Sequence, residues 1–402
     1  TRFIRAYLRR DSGATDSVAE QSEAAEIATL LASALGPGSA LARDDRALAE
    51  AIRLHVLGRP AEALRAVEAS LTEAGASPGA ADLFWIRSLI LDPVVERLAS
   101  LDCAIDLVPG HALALHSRGI LRFGRGDLDG AIADYTIALR IHPRFASALN
   151  NRGACWYARR DLDRAIADFD ASIELDPDSA GRFANRAMAL VDRGDAAAAL
   201  RDFDAALLRD PAQDGARLQR ARLRLLAGQA DAAIEDYDAL LARRPDLVPG
   251  YANRAAAWIA KGNPTRALED FSAALRLDPN NATVYLNRGT LHDTLGQRDL
   301  ALPDLDAAVR LDPANALAYR QRANVRFVKG DLPGALADLD EALRLQPSFL
   351  EALHERGCVR YHLGQVASGI EDVERALQLA PADWVKRQQA LADLERMRQR
   401  GR

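Results

Sequence analysis

No run of about 18 consecutive apolar residues, the least that crosses a bilayer as a helix, occurs anywhere in the 402 residues, so membrane insertion is not expected. Cysteine is scarce. Cys103, Cys155 and Cys358 are odd in number, far apart and without a CxxC, which argues against a disulfide framework and for a reducing, cytoplasmic setting. Aromatics make up only 5%, too few for a sheet-built core. Lysine is nearly missing, with Lys261, Lys329 and Lys386 against a large excess of arginine. That bias fits high-GC, bacterial codon usage as well as it fits carboxylate pairing by planar guanidiniums. A net charge of −5 leaves no basic stripe for nucleic acid. HExxH, phosphate-cradling glycine loops, GxSxG and dinucleotide fingerprints are all absent, so no cofactor and no enzymatic reaction are expected. The first residues, TRFIRAYLRR, lack an initiating Met and the apolar stretch of a signal peptide, as in a trimmed piece of a longer chain.

What is present is a ruler. Prolines fall at 109, 143, 177, 211, 245, 279, 313, 347 and 381, each 34 residues from the last. A fixed period of this size marks stacked units rather than separate globules. Numbering each unit so that the proline is position 32 gives eight units over 112–383. Position 8 is always small, from Gly119 and Gly153 through Ala255 to Gly357; position 20 is Ala, then Gly369 in the last unit. Position 24 is large and apolar, as Tyr135, Phe169, Phe203, Tyr237 and Phe271 illustrate. Spacing around 20, 24 and 27 is helical. A glycine at 15 in seven of the units, such as Gly262, supplies a left-handed residue that ends a first helix, and the proline ends a second.

Small at 8, Ala at 20, bulky at 24 and Pro at 32 resemble the tetratricopeptide repeat (TPR) family. The resemblance implies an all-α fold, a right-handed α-solenoid superhelix of helix-turn-helix repeats. Two divergent repeats extend the phase over 44–111, where Trp85 replaces the small residue at 8 and a distorted unit is expected. Residues 384–402 read as a capping helix with Trp384, Leu391 and Leu394 facing the stack. Residues 1–43 read as a helical or flexible segment with one helix over 17–35. Pro303, inside a second helix, should make that helix start late or kink.

Two departures from the family pattern recur together. Position 7 is Arg and position 23 is Asp in all eight units, from Arg118 and Asp134 to Arg356 and Asp372. Eight paired carboxylates would neutralise eight guanidiniums, so a structural ladder is expected rather than a basic stripe for an acidic ligand. Position 6 carries amides: Asn151, Asn185, Gln219, Asn253, Asn287 and Gln321. In the family, positions 2, 5, 6, 9, 12 and 13 of the first helices line a concave groove. An amide column there resembles the asparagine ladder of O-linked N-acetylglucosamine transferases and could bracket an extended peptide backbone. Alternatively, each amide bonds the neighbouring helix. Tyr157, Phe327 and Tyr361 at position 12 would offer apolar pockets. Arg320 and Asn324 resemble part of a carboxylate clamp, but Glu355 stands where its next amide belongs, so the clamp is read as absent.

His354, Cys358 and His362 sit at i, i+4 and i+8 of one helix. One His–Cys pair could chelate zinc, but all three span about 12 Å and cannot share an ion, so ordinary groove lining is the favoured reading and no metal is assigned. A cysteine nucleophile finds no orienting acid there. The expected function is a non-enzymatic scaffold binding a protein or extended peptide along the groove. Alternatives are the substrate-recruiting arm of an enzyme whose catalytic domain lies elsewhere, and a self-association module.

Overall fold

The computed structural model describes residues 43–400 apart from residue 76. The helix expected over 17–35 lies outside the described residues, as does all but the last residue of the 1–43 segment. Among the described residues there are 21 helices and no strand. The chain forms two compact units that divide after Ala216. The first holds α1 (Arg43–Val56), α2 (Pro60–Ala74), α3 (Ala80–Ile90), α4 (Val94–Leu107), α5 (Ala112–Gly124), α6 (Leu128–Ile141), α7 (Ala146–Ala158), α8 (Leu162–Leu175), α9 (Ala180–Arg193) and α10 (Ala196–Arg209). Helix α11 (Asp214–Leu226) carries the chain into the second, with α12 (Ala230–Arg243), α13 (Val248–Ala260), α14 (Pro264–Leu277), α15 (Ala282–Thr294), α16 (Arg298–Leu311), α17 (Ala316–Val328), α18 (Leu332–Leu345), α19 (Leu350–His362), α20 (Val366–Leu379) and α21 (Arg387–Arg400).

Within each unit the two helices of a pair pack closely, and the second also packs on the first helix of the next pair. Cores are therefore shared along the stack. Ala131, Ile132 and Tyr135 of α6 lie in one cluster with Ala148, Leu149 and Cys155 of α7. Each unit is an all-α stack of helical hairpins, the solenoid class.

Local chemistry sets the helix ends. Position 16 is an N-cap: Asp127, Asp161, Asp195, Asn263 and Asp331 accept from backbone N–H groups three residues on, at 2.9–3.2 Å. Just before it the chain turns left-handed, as at Gly262 with φ 76°. The one unit without that glycine places Arg160 there, with φ 65°. Since this conformation costs an L side chain about 1–2 kcal/mol, Gly262→Ala should lower stability by about 1 kcal/mol, read as a lower denaturant midpoint.

Two expectations need correction. Helix α16 starts at Arg298 and continues through Pro303 rather than starting late. Proline removes one hydrogen bond donor, but the helix is held from α15 and α17 on either side. Leu391 of α21 is exposed, whereas Leu394 faces the stack as expected, joined there by Ala390 and Met397. Trp384, before α21, is half-buried and donates its indole N–H to Glu351 at 3.0 Å. In the divergent unit Trp85 is buried and donates to Ser117 Oγ at 3.0 Å, and α3 passes to α4 through Leu91, Asp92 and Pro93 without a left-handed glycine.

The Arg–Asp ladder is complete. In every regular unit the arginine Nε and Nη2 clasp both oxygens of the aspartate 16 residues on, in the geometry of Arg254 to Asp270 at 2.9 and 2.7 Å. All eight aspartates are buried. The hydrogen bonds it donates to Asp270 hold Arg254 more firmly in its charged form than usual, against the opposing pull of burial. A third arm, Nη1, reaches back to the preceding unit: Arg186 to Asp170 (2.7 Å), Arg254 to Asp238 (2.6 Å), Arg288 to Ser272 (3.1 Å), Arg322 to Asp306 (2.9 Å) and Arg356 to Asp340 (2.7 Å). One guanidinium thus locks a hairpin internally and ties it to its neighbour.

Candidate binding surface on the first helices

In three places position 6 of a first helix meets position 5 of the first helix before it, 35 residues earlier. Asn151 Nδ2 lies 3.1 Å from His116 Nε2, Asn185 Nδ2 donates to Asn150 Oδ1 at 3.0 Å, and Arg320 clasps Glu355 at 2.8 and 2.9 Å. Whether a position-6 amide is satisfied by the fold therefore depends on position 5. In the first unit that neighbour is polar, and Asn151 and Asn185 are tied to it. In the second unit the residues 35 positions before Asn253, Asn287 and Gln321 are Leu218, Ala252 and Leu286. Among the described residues no side-chain hydrogen bond reaches Asn253, Asn287, Gln321 or Gln219, and none of the four is buried. The two readings of the amide column thus divide by region: neighbour-bonded in the first unit, unpartnered in the second.

The remaining candidates also separate. Tyr157, half-buried in the first unit, bonds Asp192; burial and then that bond push its phenol up. Arg320 is taken by Glu355, which also accepts from Lys386 at 2.9 Å, so its fork is not free to hold a ligand carboxylate. Asn324 and Phe327 line a cavity of about 280 Å³ with His354, Cys358, Lys386 and Gln389. Tyr361 is not in its wall; it packs in the core beneath α21 beside Trp384. Of His354, Cys358 and His362, the first two come together, with Cys358 Sγ 3.7 Å from His354 Nε2. His362 turns away, its ring 5.3 Å from Phe327 and 5.6 Å from Tyr361. Asp393 of α21 takes its place, with Oδ2 3.0 Å from His354 Nε2 and 3.8 Å from Cys358 Sγ. Burial foremost, then the Asp393 charge, push the Cys358 thiol up to about 12, so it is protonated at neutral pH and is no ready nucleophile.

The tetratricopeptide repeat family model matches residues 116–180 and 185–248. The chain belongs to the tetratricopeptide repeat family. A second model, the ETO1 C-terminal domain, matches residues 251–398. No curated protein matches. Among solved structures, a TPR protein from Parabacteroides merdae is 19% identical, with a TM-score of 0.50 over 62% of this chain and 98% of that one. The C-terminal part of a TPR repeat-containing protein from Cytophaga hutchinsonii is also 19% identical, with a TM-score of 0.50 over 60% and 98%. At this identity the likeness concerns the fold. Among the described residues no helix is long and apolar enough to cross a membrane.

Two groups on this surface escaped the sequence reading. Gln389 falls at position 6 if the 34-residue phase is continued into α21, and Asp393 lies 35 residues after Cys358. The same cross-repeat spacing that joins Asn185 to Asn150 would have paired Asp393 with Cys358, had it been carried past the last proline.

Proposed function

We propose that the protein is a scaffold that binds an extended peptide segment across α13, α15 and α17. TPR stacks serve protein–protein recognition through the large surfaces that repeated helices provide. The observation that carries the finer reading is the run of Asn253, Asn287 and Gln321 at equivalent places in successive repeats, none with a hydrogen-bond partner among the described residues. A primary amide in mid-helix costs about half a kcal/mol relative to Ala, and here the fold returns nothing for it. Each offers a donor and an acceptor, the complement of a peptide backbone. Val328, seven residues after Gln321 and so on the same face of α17, is exposed and gives apolar ground beside that amide. Phe327 and Asn324, which line the cavity, suit one apolar side chain of the ligand. Asn151 and Asn185 are left out of the binding set, since the fold uses them. Arg320 is left out for the same reason.

A random dodecapeptide library panned on the full chain supplies the probes. Each lost amide is worth about 1 kcal/mol, so the triple substitution Asn253→Ala, Asn287→Ala, Gln321→Ala should weaken the selected peptides at least about tenfold while helicity is kept. Substituting Asn151→Ala and Asn185→Ala should leave those affinities unchanged. Equal affinities for wild type and the triple variant would rule the reading out.

A further inference from the structure

His354 and Cys358, one turn apart on α19, point to the same side and meet Asp393 of α21. Their donor atoms form a small triangle: His354 Nε2 to Asp393 Oδ2 3.0 Å, Cys358 Sγ to His354 Nε2 3.7 Å, Cys358 Sγ to Asp393 Oδ2 3.8 Å. These are ligand atoms of three different kinds, all within 4.8 Å of one another. Around a tetrahedral zinc with bonds of about 2.0–2.3 Å, neighbouring ligand atoms stand about 3.3–3.7 Å apart. The triangle is close to that size before any adjustment.

A catalytic relay would be built differently. Its imidazole faces the nucleophile with one nitrogen and the acid with the other. Here thiol and carboxylate both converge on Nε2, and Nδ1 is buried with no partner among the described residues. Convergence on one point suits an ion. We propose that His354, Cys358 and Asp393 form a tridentate site for zinc. The thiol and imidazole exclude magnesium and calcium by softness. Thiolate and carboxylate together balance the two positive charges, and binding expels the single proton of the Cys358 thiol. Arg396 pairs with the other carboxylate oxygen of Asp393 at 3.4 Å, leaving Oδ2 for the metal. His354 and Cys358 both line the 280 Å³ cavity, so the fourth coordination position opens there to water. Because Nδ1 lacks an orienting acceptor, affinity should be about 10–100-fold below that of a zinc site with a fully bonded imidazole. The ion would fasten α21 onto α19 and hold the cavity wall in place.

The test is a cobalt(II) titration of the full chain, stripped with a chelator under reducing conditions. One equivalent should produce the visible bands of four-coordinate cobalt with a thiolate charge-transfer band, and zinc should bleach both. Cys358→Ser should abolish the charge-transfer band, and Asp393→Asn should weaken binding at least tenfold, with helicity checked by circular dichroism. His362→Ala and Cys103→Ser should change neither. Zinc should raise the melting temperature of the wild type by more than that of Asp393→Asn. No charge-transfer band at one equivalent in the wild type, or a band that survives Cys358→Ser, would overturn the assignment.

Discussion

Asp270→Ala is expected to destabilise the protein by about 3–5 kcal/mol, the cost of leaving a buried charge without its partner. Asp270 is 5% exposed and receives both inner nitrogens of Arg254. Its removal strands a guanidinium whose side chain is only 20% exposed. The outer partner of the same arginine, Asp238, is 55% exposed, and Asp238→Ala should cost about 0–1 kcal/mol. Urea melts of the two variants therefore separate burial from mere pairing. A third variant asks what the pair does beyond stability. Arg254→Met with Asp270→Leu removes both charges, and such replacements are often neutral or stabilising. If it melts near wild type while Asp270→Ala does not, the ladder sets helix register and repeat spacing rather than supplying net stability. Asp270→Ala melting with the wild type would show that the carboxylate is not buried in solution. Stability in a stack is a sum of unit and nearest-neighbour terms, so the loss should concentrate in α13, α14 and their contact with α12.

The ladder was legible because both its residues recur in phase. Eight arginines at position 7 and eight aspartates at position 23 can only mean one repeated contact. The outer arm was not legible. Its acceptors at position 25 vary among Asp170, Asp238, Ser272 and Asp340, and a position that tolerates serine carries no invariant signal. Helix ends were legible where one residue decides them, as at the left-handed glycines. Arg160 shows that the turn imposes its backbone even where the favoured residue is missing.

The binding surface was half legible. Periodicity places Asn151, Asn185, Asn253 and Asn287 in one column, yet their roles differ because each depends on a residue 35 positions earlier. His116 and Asn150 absorb the first two; Leu218 and Ala252 cannot absorb the others. Reading a repeat unit by unit hides this, since the contact crosses from one unit to the next. The same blind spot concealed Asp393. It lies beyond the last proline, where the ruler stops but the packing rule does not.

Gly357→Val is the second large expected effect. A Cβ on Gly357 would lie 2.6 Å from Val373 Cγ2 and 2.7 Å from the backbone oxygen of Gly369. A side chain can rotate away; a carbonyl inside α20 cannot without breaking its helix. The pair is the only regular unit with glycine at both positions 8 and 20, and a Cβ on Gly369 would likewise meet the Gly357 oxygen at 2.8 Å. Overpacking of this kind costs about 1–3 kcal/mol. For Gly357→Ala it cancels or exceeds the roughly 1 kcal/mol that alanine gains over glycine in a helix, and the β-branched valine adds further clash with less of that gain. The control is Gly181→Ala on α9, where nothing lies within 4 Å of the new methyl and stability should rise by up to about 1 kcal/mol. Thermal melts of the two variants should move in opposite directions. Because α19 also carries His354 and Cys358, pushing it off α20 moves two of the three proposed metal ligands relative to Asp393. Gly357→Val should therefore bind cobalt more weakly than Gly181→Ala at a temperature where both are folded.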